Sequence, residues 1–595
     1  MLMSMNRSRR FWVAALAALL ICVGILIAVL TAAPPAEQPA ESPDRSSSEP
    51  DFGPNVTVFD PSMDAGSIQS TVDEIFAAQE TNQFGERRDA VLFKPGSYDA
   101  TVNVGFNTSV LGLGLSPDDV TVNGQVRVDA DWFDGNATQN FWRSVENLAI
   151  APSDGANRWA VAQAAPMRRV HVRGGLDLYP SGSGWASGGY IADSKIDGLV
   201  ASGSQQQWFS RDSEFGSWKG SSWNMVFSGV TGAPAQSFPN PPFTVLDGTP
   251  VSREKPFLYV DDDGGYRVFL PALRRDSAGA SWTGGETAGD SLPIGDFYIA
   301  QPDDGADAIN AALDRGLNLL LTPGIYRLDQ TLEIERANTV VLGIGLATVV
   351  PQNGVDAMRV ADVDGVRLAG FLIDAGADNS DTLLRIGGEG AGARHDGNPT
   401  SVHDVYFRIG GAGPGRATTS LVVDSADVIV DHIWAWRADH GDGVGWDANT
   451  AATGVVVNGA NVVATGLFVE HYQKRQLVWN GENGRTVFFQ NEMPYDPPDQ
   501  AAWRDGDSDG FAAYSVGAQV TRHEVWGAGS YCFFNVDPSM RAARAFEAPD
   551  VAGVRFHGVL TVSLGGNGTI TNVVNTTGAA VGPEWVGPSS LAAYP

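Results

Sequence analysis

Cysteine is nearly absent: Cys22 and Cys532 are the only two in 595 residues, and Cys22 lies inside the first apolar run. One thiol outside that run excludes a disulfide framework and a thiolate-rich metal site. Cys532, in Ser530-Tyr531-Cys532-Phe533-Phe534, is expected to be a small buried hydrophobe. Positive charge is also scarce. Lys and Arg number 39 against 69 Asp and Glu, a formal net charge of −30. Such a chain repels nucleic acid, pectate and other polyanions, which leaves neutral substrates open. Long helical patterns are few, so a Rossmann fold or an α/β barrel does not fit. No G-x-S-x-G elbow, Walker loop or H-E-x-x-H helix occurs, which disfavours serine-hydrolase, nucleotide and zincin chemistry.

What is plentiful is Gly (70) and Trp (16), with only 18% charged residues, the composition of a large all-β fold with many turns. Arg7, Arg9 and Arg10 precede an apolar run from Phe11 to Leu30, about 30 Å of helix. Residues 1–33 therefore read as a signal peptide or signal anchor that contacts the membrane and sends the remainder out of the cell. A Pro/Ser-rich stretch, 34–54, is expected to be a disordered linker.

The body is duplicated. Ile68, Val72, Ile75 and Phe76 share a helical face, followed by Lys94-Pro95-Gly96-Ser97-Tyr98 and Leu111-Gly112-Leu113-Gly114. Ile309 and Leu313 mark a second helix, followed by Thr322-Pro323-Gly324-Ile325-Tyr326 and Leu342-Gly343-Ile344-Gly345. The Pro-Gly pairs are 228 residues apart and the Leu-Gly pairs 231 apart, so the order is kept through both halves. Within each half, short apolar runs return every ~20–35 residues. That spacing fits a right-handed parallel β-helix, whose coils stack at about 4.8 Å. The fold expected is all-β, two tandem parallel β-helices over 55–235 and 301–595, joined by a connecting segment, 236–300, with a hairpin near 258–269. Each opening helix would cap the exposed end of its stack.

Among candidate chemical groups, Glu470 and Glu492 lie 22 residues apart, about one coil, and so fall on neighbouring rungs of one face. Two close carboxylates share charge badly; one pKa should rise and leave a proton available, as a general acid for glycosidic cleavage requires. From spacing alone, two ordinary surface glutamates remain the competing reading. Asp505-Gly506-Asp507-Ser508-Asp509-Gly510 imitates a calcium loop, but Val516 stands where the bidentate Glu belongs, so a solvated turn is expected. Trp434, Trp436, Trp446, Trp479, Trp208, Trp218 and Trp223 are candidate sugar-stacking rings, with core packing the competing role for each.

The Pro-Gly-x-Tyr repeat, the stretches Trp159–Val170 and Ala186–Ser194, and the stretch Asn480–Pro498 together resemble glycoside hydrolase family 55, the exo-acting β-1,3-glucanases (laminarinases) of fungi and actinobacteria. The likeness covers roughly residues 55–595. It implies two pectate-lyase-like β-helices in a rib-cage arrangement and inverting hydrolysis of β-1,3-glucan between them, releasing glucose without cofactor or metal. By local motif, Glu492 matches the general acid, Gln163 and Ser187 the residues holding the nucleophilic water, and Glu470 an assisting carboxylate. The resemblance offers no single general base. Trp436, Asp439, His440 and Tyr495, near these motifs, are assigned to sugar binding: rings for stacking, Asp439 and His440 for hydroxyls. A secreted or membrane-anchored extracellular monomer is expected. The competing functions are a β-helix polysaccharide lyase, poorly matched by a −30 chain, and a non-catalytic glycan-binding adhesin.

Overall fold

The computed structural model describes residues 49–595; the expected targeting segment, 1–33, and most of the expected linker lie outside the described residues. Among the described residues, no helix is long and apolar enough to cross a membrane. The linker reading ends early, because Phe52 is buried and meets the Tyr266 ring edge-on at 5.4 Å.

Pro50–Pro595 fold as one compact unit built from two stacks of parallel strands. In the first, neighbouring strands run from Val56–Phe59 to Phe243–Leu246, so this stack keeps one strand beyond residue 235. In the second they run from Phe297–Ala300 to Val554–Ser563, where an antiparallel strand, Ser589–Tyr594, closes the end. Successive coils pair residue on residue, the pattern of a parallel β-helix. Between the stacks, Phe257–Val260 and Tyr266–Pro271 form the expected antiparallel hairpin.

Both opening helices are present. Helix α1 (Ala65–Gln79) is capped by the Asp64 carboxylate, which accepts from the Ser67 N–H. Its Ile68, Val72 and Ile75 join Phe59, Val91 and Phe93 in the core of the first coils. Helix α2 (Ala306–Asp314) does the same with Ile309 and Leu313 against Ala300, Leu319 and Leu321. The repeated Pro-Gly-x-Tyr also has a cause. The Tyr98 hydroxyl donates toward the carbonyls of Phe59 (3.1 Å) and Lys94 (2.7 Å), tying one coil to the next. Tyr326 repeats this toward Ala300 (2.8 Å) and Thr322 (3.0 Å).

The two stacks meet along one flank. From the first come β1 (Met167–Val172), β2 (Tyr190–Ala192), β3 (Gln207–Arg211) and β4 (Asn224–Ser228). From the second come β5 (Ser401–Ile409), β6 (Ile429–Arg437), β7 (Val463–Glu470), β8 (Gly484–Glu492) and β9 (His523–Cys532). Strands β5–β9 each carry one left-handed residue at the same rung position: Asp404, His432, Gly466, Phe488 and Gly527, with φ between 50° and 71°. At that rung the pairing skips a residue, as from His403↔Asp431 to Val405↔Ile433, and the coil turns a corner. Gly466 is needed there because a Cβ would lie 3.0 Å from the Tyr190 ring of the other stack.

The flank is sealed by aromatics and by buried charge. Trp142 and Phe141 of the first stack lie 4.6 and 4.8 Å from Trp434 of the second, ring centre to ring centre. Arg168 forks onto Asp404 at 2.8 and 3.0 Å and reaches Asp431 at 3.0 Å. Arg211 forks onto Glu254 at 2.7 Å twice and also reaches Asp431. These groups are nearly inaccessible to water, and each charge has hydrogen-bonded partners of opposite sign, the condition for keeping ions buried. Cys532 is buried, as expected, and Arg504–Asp505 pairs antiparallel with Ser508–Asp509 around the expected turn.

Candidate active site at the seam of the two stacks

The C-terminal ends of β6, β7 and β8 bring Trp436, Glu470 and Glu492 onto adjacent rungs. Trp436 pairs with Glu470. The His471 N–H donates to the Glu492 carbonyl at 2.8 Å, which continues that ladder by one coil. The first stack supplies Gln163 and Ser187 from irregular segments just before β1 and β2.

A chain of hydrogen bonds joins these groups across the seam. Ser187 Oγ donates to Gln163 Oε1 (3.2 Å), Gln163 Nε2 donates to Glu470 Oε1 (3.0 Å), and Trp434 Nε1 donates to Glu470 Oε2 (2.8 Å). The direction of donation matters. Glu470 fixes the Gln163 amide with its nitrogen inward, so Gln163 Oε1 and Ser187 Oγ both keep acceptor capacity. Glu470 is 3% exposed and has a donor on each oxygen.

The Glu492 side chain is 14% exposed. The Tyr495 hydroxyl donates to its Oε2, and His471 Nε2 lies 3.8 Å from the same oxygen. His471 is itself oriented, its Nδ1 donating to the Met493 carbonyl at 3.2 Å. Beyond these, Gln83 Nε2 donates to His440 Nε2 (2.6 Å), whose Nδ1 donates to Asp439 Oδ1 (2.8 Å).

Burial, then the neighbouring charges of Glu492 and Asp439, push the Glu470 carboxyl well above its usual range, against the pull of Trp434 and Gln163. Burial and the Asp439 charge also raise Glu492, while His471 and Tyr495 hold it back. Burial opposes ionisation of Asp439, yet the His440 hydrogen bond and nearby His471 keep it at about 2. Ionisation is thus opposed at both glutamates and favoured at Asp439.

Of the residues named from sequence, Gln163, Ser187, Glu470, Glu492, Asp439, His440 and Tyr495 fall at this seam. Trp436 is 1% exposed and stacked on Trp434 at 4.9 Å. Tyr495 turns its hydroxyl onto Glu492. Trp208 and Trp479, likewise candidate stacking rings, are core residues. Sequence reasoning missed His471, Gln490 and Gln83 as members of the seam, and the donor role of Trp434. An open groove of about 610 Å³ starts at the opposite ends of the same strands, against Ile429, Val463, Gly484 and His523, and holds none of the candidate residues.

A family model for the LAM55 pectate lyase-like domain matches residues 297–492, a span that ends on Glu492. An exo-β-1,3-glucanase of Streptomyces sp. (strain SirexAA-E / ActE) is 60% identical over 546 residues, 92% of this chain and 90% of that one. This chain belongs to the LAM55 family, glycoside hydrolase family 55. The solved structure of sacteLam55A from Streptomyces sp. SirexAA-E superposes with a TM-score of 0.91 at 60% identity, over 92% of this chain and 99% of that one. A glutamate-to-alanine variant of sacteLam55A in complex with glucose gives a TM-score of 0.90 at 59% identity, with the same coverage. The all-β fold of two parallel β-helices is thus that of the family.

Proposed function

We infer that this chain is a glycoside hydrolase that cleaves β-1,3-glucan of the laminarin type from a chain end, releasing glucose. The observation that carries the substrate and reaction is its 60% identity, over 92% of its length, to an exo-β-1,3-glucanase. In this reading Glu492 protonates the leaving glycosidic oxygen, consistent with a carboxyl whose pKa is raised by burial. A water on the far side of the sugar donates its two hydrogens to Gln163 Oε1 and Ser187 Oγ, which leaves a lone pair for the anomeric carbon; as the new C–O bond forms, the water's surplus proton is released to solvent, and Glu492 is reprotonated from solvent after the leaving oxygen has taken its proton. Glu470 acts through Gln163, whose amide it orients. Asp439 and His440 serve sugar hydroxyls, and Trp436 forms the wall behind them. Attack from that side inverts the anomeric centre. The polymeric substrate and the apolar N-terminal run support action outside the cell, as a monomer released from the membrane or anchored to it.

Retention has one observation in its favour. Glu470 and Glu492 stand one coil apart, about 4.8 Å between backbones, close to the carboxyl separation of about 5–5.5 Å in retaining enzymes. Inversion is preferred because both Glu470 oxygens are occupied by donors and the side chain is buried. Glu492→Gln tests the acid role. Laminarin hydrolysis should fall by about 10²–10⁴-fold while calorimetry still detects oligosaccharide binding. Wild-type-like hydrolysis would sink the assignment, and a wild-type protein that binds laminarin without turnover would favour the glycan-binding reading.

A further inference from the structure

Ser187 is asked to hold a water in place, yet it belongs to no strand. It lies in the irregular stretch Ser187-Gly188-Gly189 that leads into β2. The ladder bonds nearest to it engage its neighbours: the Ala186 carbonyl accepts from Gln206 (3.3 Å) and the Gly189 carbonyl from Phe209 (3.0 Å). With two glycines following, nothing in the first stack's own ladder fixes the Ser187 peptide. The fixing contact comes from the other stack. Gln490, fully buried on β8 two residues before Glu492, donates from Nε2 to the Ser187 carbonyl at 3.1 Å.

Gly188 makes room for that amide. Its φ is +156°, and a Cβ at that position would lie 2.2 Å from Gln490 Oε1. A reciprocal clasp sits beside it: the Tyr531 hydroxyl donates to Gln207 Oε1, and Gln207 Nε2 reaches the Gly527 carbonyl at 3.4 Å. Tyr531 is the rung partner of Glu492, so this second clasp grips β9, the strand beside the one that carries the acid.

We infer that Gln490 is a positioning residue for the attacking water: by gripping the Ser187 carbonyl from β8, it sets the water-holding pair of one stack at a fixed distance from Glu492 of the other. The inference rests on the glucanase reading above. A misplacement of about 1 Å in such a site costs roughly 10²-fold in rate.

The test compares the full-length wild type with Gln490→Met, which keeps the length of the side chain and removes both polar atoms, and with Gln490→Glu. For Gln490→Met, kcat on laminarin should fall about 10²-fold with KM unchanged and the alkaline limb of kcat/KM unmoved, since Glu492 keeps its own partners. Gln490→Glu can donate to the Ser187 carbonyl only when protonated, so its activity should return toward wild type on the acidic side of the profile alone. A Gln490→Met enzyme with wild-type kcat, or one whose loss is all in KM, overturns the inference. So does a Gln490→Glu enzyme whose profile only scales the wild-type curve. A wild type without turnover on laminarin would instead remove the glucanase reading itself.

Discussion

Arg168 and Arg211 both carry the first stack into the buried charge network of the second, and Arg168→Met is the perturbation that weighs that network. The guanidinium makes two hydrogen bonds to Asp404 and one to Asp431, with Glu254 at 3.6 Å. Without it, Asp404 keeps His432 at 2.7 Å and Lys255 at 3.7 Å, and Asp431 keeps Arg211. Removing one partner of a buried pair costs about 3–5 kcal/mol, because the remaining charge stays out of water. Burial alone would raise both carboxyls above their ordinary 3.8, but Arg168, His432 and Lys255 hold Asp404 far below it, and Arg211 and Arg168 hold Asp431 there. Carboxyls depressed in the folded state contribute stability that is present above 3.8 and lost as pH falls. The deficit of Arg168→Met should therefore be fully developed at neutral pH and narrow as pH drops below about 4. Guanidinium-chloride unfolding of both proteins across that range measures it. A neutral-pH deficit under about 1 kcal/mol, or one that does not change with pH, would refute the argument that these ions stabilise the seam.

Two further outcomes follow from named contacts. Tyr495 and Asp439 pull the Glu492 carboxyl in opposite directions, so Tyr495→Phe should move the alkaline limb of kcat/KM upward and Asp439→Asn should move it downward; shifts of the same sign in a pH–rate series would contradict the electrostatics assigned to the site. Gly466→Ala places a methyl against the Tyr190 ring at a left-handed φ of 65° and should destabilise the chain by about 1–3 kcal/mol, a loss that a thermal melt within error of wild type would exclude.

The legible parts of this molecule were those with local causes. Pro95-Gly96 and Pro323-Gly324 announce the duplication because each turn is closed by a tyrosine within the same motif. The 22-residue interval between Glu470 and Glu492 could be turned into adjacent rungs because it falls within the spacing at which the apolar runs return. Contacts between the stacks left no such trace. Gln163 and Glu470 are 307 residues apart, and only family resemblance put them in one site. Trp434 as a donor, Gln490 as a clasp and His471 beside the acid depend on where one stack lies against the other. The corners at Asp404, His432 and Phe488 were hidden for a different reason: non-glycine residues seldom adopt a positive φ, so no composition signal marks them. The burial of Trp436 left no trace either, because a tryptophan near a sugar motif looks alike in sequence whether its ring is open or walled in.

The central claim is that an acid on one β-helix and a water held by the other act on opposite faces of the same sugar. Proton NMR of laminarin in the first minutes after adding wild-type enzyme reads this directly from the anomer of the released glucose. Early α-glucose as the only small product is the result expected, since displacement by the water at Gln163 and Ser187 inverts a β-linkage. Early β-glucose would contradict it, making Glu470 the nucleophile of a retaining mechanism despite its two donors.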